Sequence, residues 1–328
     1  MKKILSLVFG LLLLGIPLQA GATTLRGDVD SSGSVNIADV TVLIDYLLSG
    51  EASAINLENA EVSGDGMVSI NDVTSLIDYL LSGNWEPYAP QTETFTVNGV
   101  SFTMVIVEGG TFMMGATSEQ GSDGNGRERP VHQVTLSSFY IAQTEVTQAL
   151  WHAVMNDNPS YFGSPQQPVE SVSWEDCQIF IATLNSLTGM AFRLPTEAEW
   201  EFAARGGNES MGYKYAGGND PTSVAWYSYN ESWELRGTGH HGPHNVATRT
   251  PNELMLYDMS GNVHEWCQDW YGDYSSNALT DPTGPANGTA RVYRGGSWYF
   301  DEWFCRVSFR NSFSPTYRSY GIGLRLAL

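Results

Sequence analysis

Two stretches of the chain carry the same apolar stripe. Val40, Leu43, Ile44 and Leu47 fall at i, i+3, i+4 and i+7, and Val73, Leu76, Ile77 and Leu80 repeat that spacing. Each stripe predicts an amphipathic helix with one face to bury. The whole segment is duplicated: Asp39 to Gly50 recurs as Asp72 to Gly83, 33 residues on (72 − 39), with one position changed. Gly50 and Gly83 stand where a left-handed residue ends a helix. Two short helices with matching stripes can bury each other, which predicts a compact helical pair. A different pattern precedes them. Ile4 to Leu18 is apolar apart from Ser6, follows Lys2 and Lys3, and leads into Ala20-Gly21-Ala22. This predicts a secretory signal over residues 1–22, with an apolar run too short for a membrane span.

Beyond the second helix the periodicity stops. Residues 85–94 hold Pro87 and Pro90 without an apolar repeat and read as a linker. From 95 to 328 short alternating runs dominate, with strands expected at Ser101–Val107, Gln133–Leu136 and Ala290–Arg294. Helix signals appear three times. Ser173 precedes the stripe Cys177, Phe180, Ile181 and Leu184, with Gly189 as its stop. Thr196-Glu-Ala-Glu199 is a capping box ahead of a helix closed by Gly206, and Thr144 is the expected cap of a helix running to Met155. A few helices among many short strands predict an α+β domain with much irregular structure, joined to a small all-α module over residues 26–84.

Charge narrows the function classes. The chain has 16 basic and 36 acidic residues, a formal net charge of -20. Lys214 is the one lysine after Lys3. Such a chain repels phosphates, which argues against nucleic-acid binding, while its carboxylates suit calcium. Aromatic residues make up 12% and charged residues 16%, which excludes disorder and coiled coil as the main state. Cys177, Cys267 and Cys305 are too few for a disulfide scaffold. Cys177 falls on an apolar helical stripe and is expected to be a buried thiol.

The acidic residues are not scattered. Ahead of the first repeated helix, Asp28, Asp30, Ser32, Asn36 and Asp39 occupy positions 1, 3, 5, 9 and 12 of a twelve-residue loop. Gly33 stands at position 6, and Ser34 offers its carbonyl at position 7. That is the calcium-loop spacing of an EF-hand, with Asp for Glu at the last position. The second loop keeps Asp65, Met67, Ser69 and Asp72 at positions 5, 7, 9 and 12, but has Glu61 and Ser63 at 1 and 3, so weaker binding is expected there. No helix precedes the first loop. Loop-then-helix in two copies resembles a type I dockerin over residues 26 to 84. The resemblance implies a cohesin module on a scaffold or cell surface as partner, met by the repeated helices.

The large segment carries its own ordered motifs. They include Gly110-Thr-Phe-Met-Met-Gly115, Glu145-Val-Thr, Arg193-Leu-Pro-Thr-Glu-Ala-Glu-Trp-Glu201, Asp258-Met-Ser-Gly-Asn-Val-His-Glu-Trp266, Arg294-Gly-Gly-Ser-Trp298 and Gly321-Ile-Gly-Leu-Arg325. On its own terms, Asp258 to Glu265 places two carboxylates around a glycine turn, a plausible oxygen-ligand loop. His240, His241 and His244 lack Cys or carboxylate partners at zinc spacing. No G-x-S-x-G, phosphate-loop or dinucleotide element appears.

Together these motifs resemble the formylglycine-generating enzyme, or sulfatase-modifying factor, family. The resemblance implies a variant of the C-type lectin fold. It also implies calcium held by Asp258, Glu265 and the carbonyls of Gly261 and Val263, with a second calcium site between Val224 and His244. His264 stands where the family has Trp. Cys267 and Cys305 each follow one of these motifs, and it is the family resemblance that implies the two lie close and can pair. Active members hold Cu(I) between two cysteines four residues apart, just after the Gly-Gly-Ser. Here Phe300 takes the first position and Cys305 the second, and Arg310, five residues on, restores no pair. One thiolate under-coordinates copper. Ser297, Cys305 and Arg310 are therefore expected to line an old catalytic cleft turned to recognition. The alternatives are an active oxidase acting on a sulfatase cysteine, and a lectin-like glycan-binding protein in a polysaccharide-degrading complex. The expected setting is secreted, periplasmic or cell-surface, with no transmembrane span after signal removal.

Overall fold

In the small unit the first helix, α1 (Ile37–Ser49), is set by its cap. The Asn36 side chain accepts from the Ala38 amide and the Asp39 carboxylate accepts from the Asn36 amide at 2.8 Å, a reciprocal box. Gly50, at φ 74, ends the helix and donates its amide to the Tyr46 carbonyl. A short helix, α2 (Leu57–Ala60), and the second copy, α3 (Ile70–Ser82), follow. Val40 and Leu43 meet Val73, Leu76 and Tyr79, and Val29, Val35, Ala60 and Val62 complete the core. The stripes thus bury as their spacing predicts.

This description comes from a computed structural model and covers residues 26–51, 55–62, 68–82, 90–230 and 242–328. The chain divides into two units, Met1–Tyr88 and Ala89–Leu328. The signal segment, Ser63, Asp65, Met67, His240 and His241 lie outside the described residues. Among the described residues no helix is long and apolar enough to cross a membrane.

Among the described residues the large unit has ten short strands: β1 (Thr92–Val97), β2 (Val100–Val107), β3 (Gly110–Met114), β4 (His132–Leu136), β5 (Phe139–Ala142), β6 (His264–Trp270), β7 (Leu279–Thr280), β8 (Arg291–Arg294), β9 (Asn311–Phe313) and β10 (Ile322–Leu324). They form three small sheets, β1-β2-β5, β3-β4-β7 and β10-β6-β8-β9. Helices α4 (Gln148–Met155), α5 (Trp174–Thr188), α6 (Glu197–Ala204) and α7 (Pro221–Val224) pack between long loops. Strand β1 opens at Thr92, so the end of the expected linker is sheet: six consecutive residues pair with β2, from Thr92↔Val105 to Val97↔Val100.

Caps at Ser173 and Thr196 form as expected, each side chain accepting from the N3 amide. The cap of α4 is Thr147, not Thr144: the Thr147 hydroxyl accepts from the Leu150 amide at 3.2 Å. Residues 145–146 stay extended because the Val146 amide is taken by the Leu324 carbonyl and its carbonyl by the Val169 amide.

Two apolar clusters fill the interior. One contains the stacked rings of Trp151 and Phe180, 4.8 Å apart; the other surrounds Trp200 and Phe202. Four arginines are fully buried, and each meets a carboxylate: Arg294 with Glu201, Arg306 with Glu128, Arg310 with Glu197, and Arg325 with Glu265. Pairing is what makes such burial tolerable, since an unmatched charge in the interior is strongly unfavourable.

All three cysteines are free and buried. Cys177 lies on the buried stripe of α5, as expected. The expected pairing of Cys267 with Cys305 does not occur. Cys267, on β6, packs in the Trp200 cluster, whereas Cys305 packs with Tyr215, Val224, Ala225 and Tyr227. Burial pushes all three thiols up, away from the thiolate form.

Candidate functional site

In the small unit the first loop wraps its acids inward. Asp28, Asp30 and Asp39 each present a carboxylate oxygen, and the three lie within 4.8 Å of one another. Asp28 also orders the turn: its oxygens accept from the Ser32 amide at 2.8 Å and the Gly33 amide at 2.9 Å. Gly33 takes φ 85, which favours glycine. Asp39 is pushed up to about 6 by burial, with the charges of Asp30 and Asp28 adding to it. The Ser34 carbonyl faces the Ser32 hydroxyl at 3.2 Å and the Asn36 amide group at 3.3 Å. Thus Ser32, Ser34 and Asn36 share the loop with the three aspartates. In the second loop Asp72 repeats the clamp, accepting from the Val62 and Ser69 amides at 2.7 Å each. Glu61, at the start of this loop, is half-buried.

In the large unit the site grows from a double-glycine turn after β8. Gly295 and Gly296 take φ 92 and 77. A Cβ on Gly296 would stand 2.6 Å from Cys305 Sγ and 2.8 Å from its Cα, so the chain can approach there only as glycine. The Gly261 amide donates to the Gly295 carbonyl at 2.6 Å, and the Trp298 amide to the Asn262 carbonyl at 2.8 Å. The Asp258–Glu265 loop and the Gly295–Ser297 turn are therefore one structure. Ser297 is buried, and its hydroxyl has no hydrogen-bond partner among the described residues.

Phe300, expected from the resemblance to stand where active members carry a cysteine, packs among aromatic rings. Its ring lies 4.8 Å from Phe304 and 5.2 Å from His264. His264 is itself buried, which drives its pKa down to about 3, so it packs as a neutral ring against Tyr293 at 4.6 Å. Arg310 is brought elsewhere. It grips both oxygens of Glu197 at 2.6 and 2.7 Å and lies over the Tyr274 ring at 3.9 Å. Together with His132, Asp269 and Trp270 it lines a separate cavity of about 360 Å³. Asp269 accepts from the Glu197 amide at the start of α6, and burial, with the Glu197 charge, pushes it up to about 7.

A cluster of acids lies behind the turn. Glu145, Asp258 and Glu265 are all buried. Arg325 holds Glu265 through three contacts of 2.7 to 3.1 Å, and Trp200 donates to the same carboxylate at 2.7 Å. The other Arg325 N–H bonds go to the Ala142 and Tyr257 carbonyls. Asp258 accepts from the Ala247 amide, but its second oxygen is buried without a hydrogen-bond partner among the described residues. Burial and the charges of Asp258 and Glu265 raise Glu145 well above the usual carboxylate range, and burial pushes Asp258 up to about 6. Glu145 accepts from the Val263 amide at 3.3 Å and the Asn262 side chain at 3.2 Å, reaching the loop from across the fold. Its role has no local signature; only Glu145-Val-Thr, a motif without evident chemistry, marks it. His244, considered among possible metal ligands, stacks on Trp226 at 3.6 Å.

Residues 90–328 match the sulfatase-modifying factor enzyme 1-like domain, and residues 26–81 match the type I dockerin domain. The chaperone protein LppX of Paenibacillus barcinonensis is 34% identical over 270 residues, covering 69% of this chain and 89% of that protein. The formylglycine-generating enzyme of Streptomyces coelicolor is 32% identical over 286 residues, covering 68% and 88%. Among solved structures, Treponema denticola variable protein 1 superposes with a TM-score of 0.64 at 33% identity, covering 73% of this chain and 99% of its own. An acidic loop-helix repeat and a mixed, loop-rich domain built on a double-glycine turn thus make this chain a dockerin-bearing member of the sulfatase-modifying factor enzyme 1-like family.

Proposed function

We propose that this is an exported docking and recognition protein. Its dockerin unit folds around calcium and binds a cohesin module on a scaffold or cell surface. Its large domain recognises a ligand at the old catalytic cleft rather than generating formylglycine. The observation that carries this reading is Phe300. The position that would supply the first copper cysteine is an aromatic ring packed at a tilt against Phe304 and His264. Its partner, Cys305, is buried among apolar and tyrosine side chains that favour the neutral thiol. Copper(I) needs soft thiolate ligands, and one protonated thiol is a poor substitute for a pair.

Calcium has support in both units. The Asp28, Asp30 and Asp39 oxygens converge in the dockerin loop. In the large domain, the unpartnered Asp258 oxygen and the excess of carboxylates over guanidinium fit a hard divalent cation. Asp258 and Glu265 would hold it with the Gly261 and Val263 carbonyls, and Glu145 would stand beside it. There the ion supplies charge neutralisation behind the turn.

An active oxidase is the competing reading, favoured by the 32% identity to a formylglycine-generating enzyme. A relative of similar identity is a chaperone protein, so the family does not fix one activity. The deciding experiment is mass spectrometry of a Cys-x-Pro-x-Arg peptide incubated with the purified, copper-supplied protein. No loss of the cysteine thiol to aldehyde is expected. Turnover that disappears in Cys305→Ser overturns the proposal.

A further inference from the structure

Three tyrosines on loops of the large unit stand far into solvent: Tyr161 is 70% exposed, Tyr299 65% and Tyr320 53%. They are not scattered. The Tyr161 and Tyr320 rings lie 4.7 Å apart and are tilted by 39°. Phe162 lies edge-on to both, at 5.1 and 6.4 Å. Trp298 meets Phe162 at 5.4 Å and carries the contact on to Tyr299, also at 5.4 Å. The result is a continuous aromatic strip beside the Gly295–Ser297 turn.

The strip is held rigid from beneath. Glu170, fully buried, accepts the Phe162 amide at 2.9 Å and also the Tyr161 amide, while the Ser171 hydroxyl donates to it at 2.6 Å. The Trp298 indole N–H donates to the Tyr320 carbonyl at 3.0 Å. Phe162 closes against Gly242, where a Cβ would stand 2.6 Å from the ring. A buried carboxylate committed to fixing the loop under exposed rings reduces the entropy lost when something binds them.

Charge and shape select the occupant. The acids next to Tyr299 in sequence, Asp301 and Glu302, are exposed. The arginine nearest Tyr320 in sequence, Arg318, is held by Asp176 through two bonds of 2.7 Å. The chain as a whole carries -20. An anionic ligand is therefore repelled. Flat ring faces with negative quadrupoles attract the weakly positive C–H face of a pyranose, and phenolic hydroxyls at their edges can bond its hydroxyls.

We propose that Tyr161, Tyr299 and Tyr320 form a stacking platform for an uncharged polysaccharide. This rests on the recognition reading of the large domain and names its ligand class. The test is affinity electrophoresis of the full chain, with calcium, in gels containing arabinoxylan, xyloglucan, galactomannan or mixed-linkage β-glucan, beside gels containing polygalacturonate or carrageenan. At least one neutral polymer is expected to retard the protein. Tyr161→Ala, Tyr299→Ala and Tyr320→Ala are each expected to weaken that binding about 10-fold, as truncation of an anchor ring does. Met113→Ala, on the exposed part of β3, should leave it unchanged, and Tyr161→Phe should retain most of it. Absence of retardation by all four neutral polymers overturns the proposal. So does equal binding to the anionic polymers, or binding indifferent to all three alanine variants while circular dichroism shows a native fold. Formylglycine formation in the peptide assay sinks the recognition reading itself. Failure of the gels without turnover sinks only the platform.

Discussion

The two acidic clusters differ in how they are assembled. Asp28, Asp30 and Asp39 come from one twelve-residue loop, with Asp28 and Asp39 buried and Asp30 half-exposed. Glu145, Asp258 and Glu265 come from separate parts of the chain, are all buried, and share one guanidinium bonded to Glu265. The first is a local device, and on the calcium reading proposed above an ion would hold its mutually repelling acids together. The second is wired into the fold by Arg325, which also ties the Ala142 and Tyr257 carbonyls. The lesson is that similar chemistry can serve as a switchable staple in one unit and as a fixed strut in the other.

Replacing the strut should have the largest effect. Arg325→Met leaves a buried carboxylate without its cation, which costs about 3–5 kcal/mol when a buried pair is broken. A calorimetric scan should show the transition of the large unit lowered or lost. Calcium should then recover more stability in the variant than in the parent, if Asp258 holds the ion. An Arg325→Met protein that melts like the parent would erase the distinction between the clusters.

Removing calcium should act next, and on the other unit. An ion present at 100 times its dissociation constant stabilises the folded form by about 2.7 kcal/mol. For a domain this small that is a shift of roughly 10–20 °C. Chelation should lower the dockerin transition by that amount and move the large one less. Asp28→Ala should make the dockerin transition nearly indifferent to calcium. A dockerin transition that ignores a chelator in the parent chain removes the staple.

The smallest effect concerns an acid in neither cluster. Asp269 caps α6 and is pushed up to about 7 by burial and by Glu197. Its folded form holds a proton that the unfolded chain, near the ordinary Asp value of about 3.9, releases earlier. Stability from this group is therefore present below about pH 4 and is lost as pH rises toward 7. Asp269→Asn keeps an acceptor for the Glu197 amide and removes the charge. Denaturant unfolding should show the variant gaining on the parent as pH rises from about 4 to about 7. A difference that stays flat with pH, or falls, would falsify the assignment.

What was legible in the sequence was what the chain encodes locally. The Val40–Leu47 stripe, the Thr196 box and the spacing from Asp28 to Asp39 all lie within one or two turns, where side chain and backbone partner are neighbours. The reading failed where a distant strand decides. Thr144 has the right residue type for a cap, but Leu324 and Val169 hold Val146 extended, so the helix starts after Thr147. Cys267 and Cys305 both follow motifs, yet a strand side chain and one at the end of a short 3-10 helix enter different clusters. Glu145 and Glu170 gave no signal, because each acts on a loop it does not adjoin through a single side-chain contact set. Phe300 was legible only against the family pattern, and its packing on His264 was not.

The buried arginines have a consequence for life outside the cell. Proteases of the trypsin type cut after lysine or arginine in an exposed, extended segment. Lys214 is the one lysine after Lys3, and Arg294, Arg306, Arg310 and Arg325 are sealed in the interior. Arg129, although exposed, is followed by Pro130, a bond that such proteases cleave poorly. The same pairing that tolerates guanidinium groups in the core therefore hides four arginines from such an enzyme and leaves its attack to exposed ones such as Arg127 and Arg318.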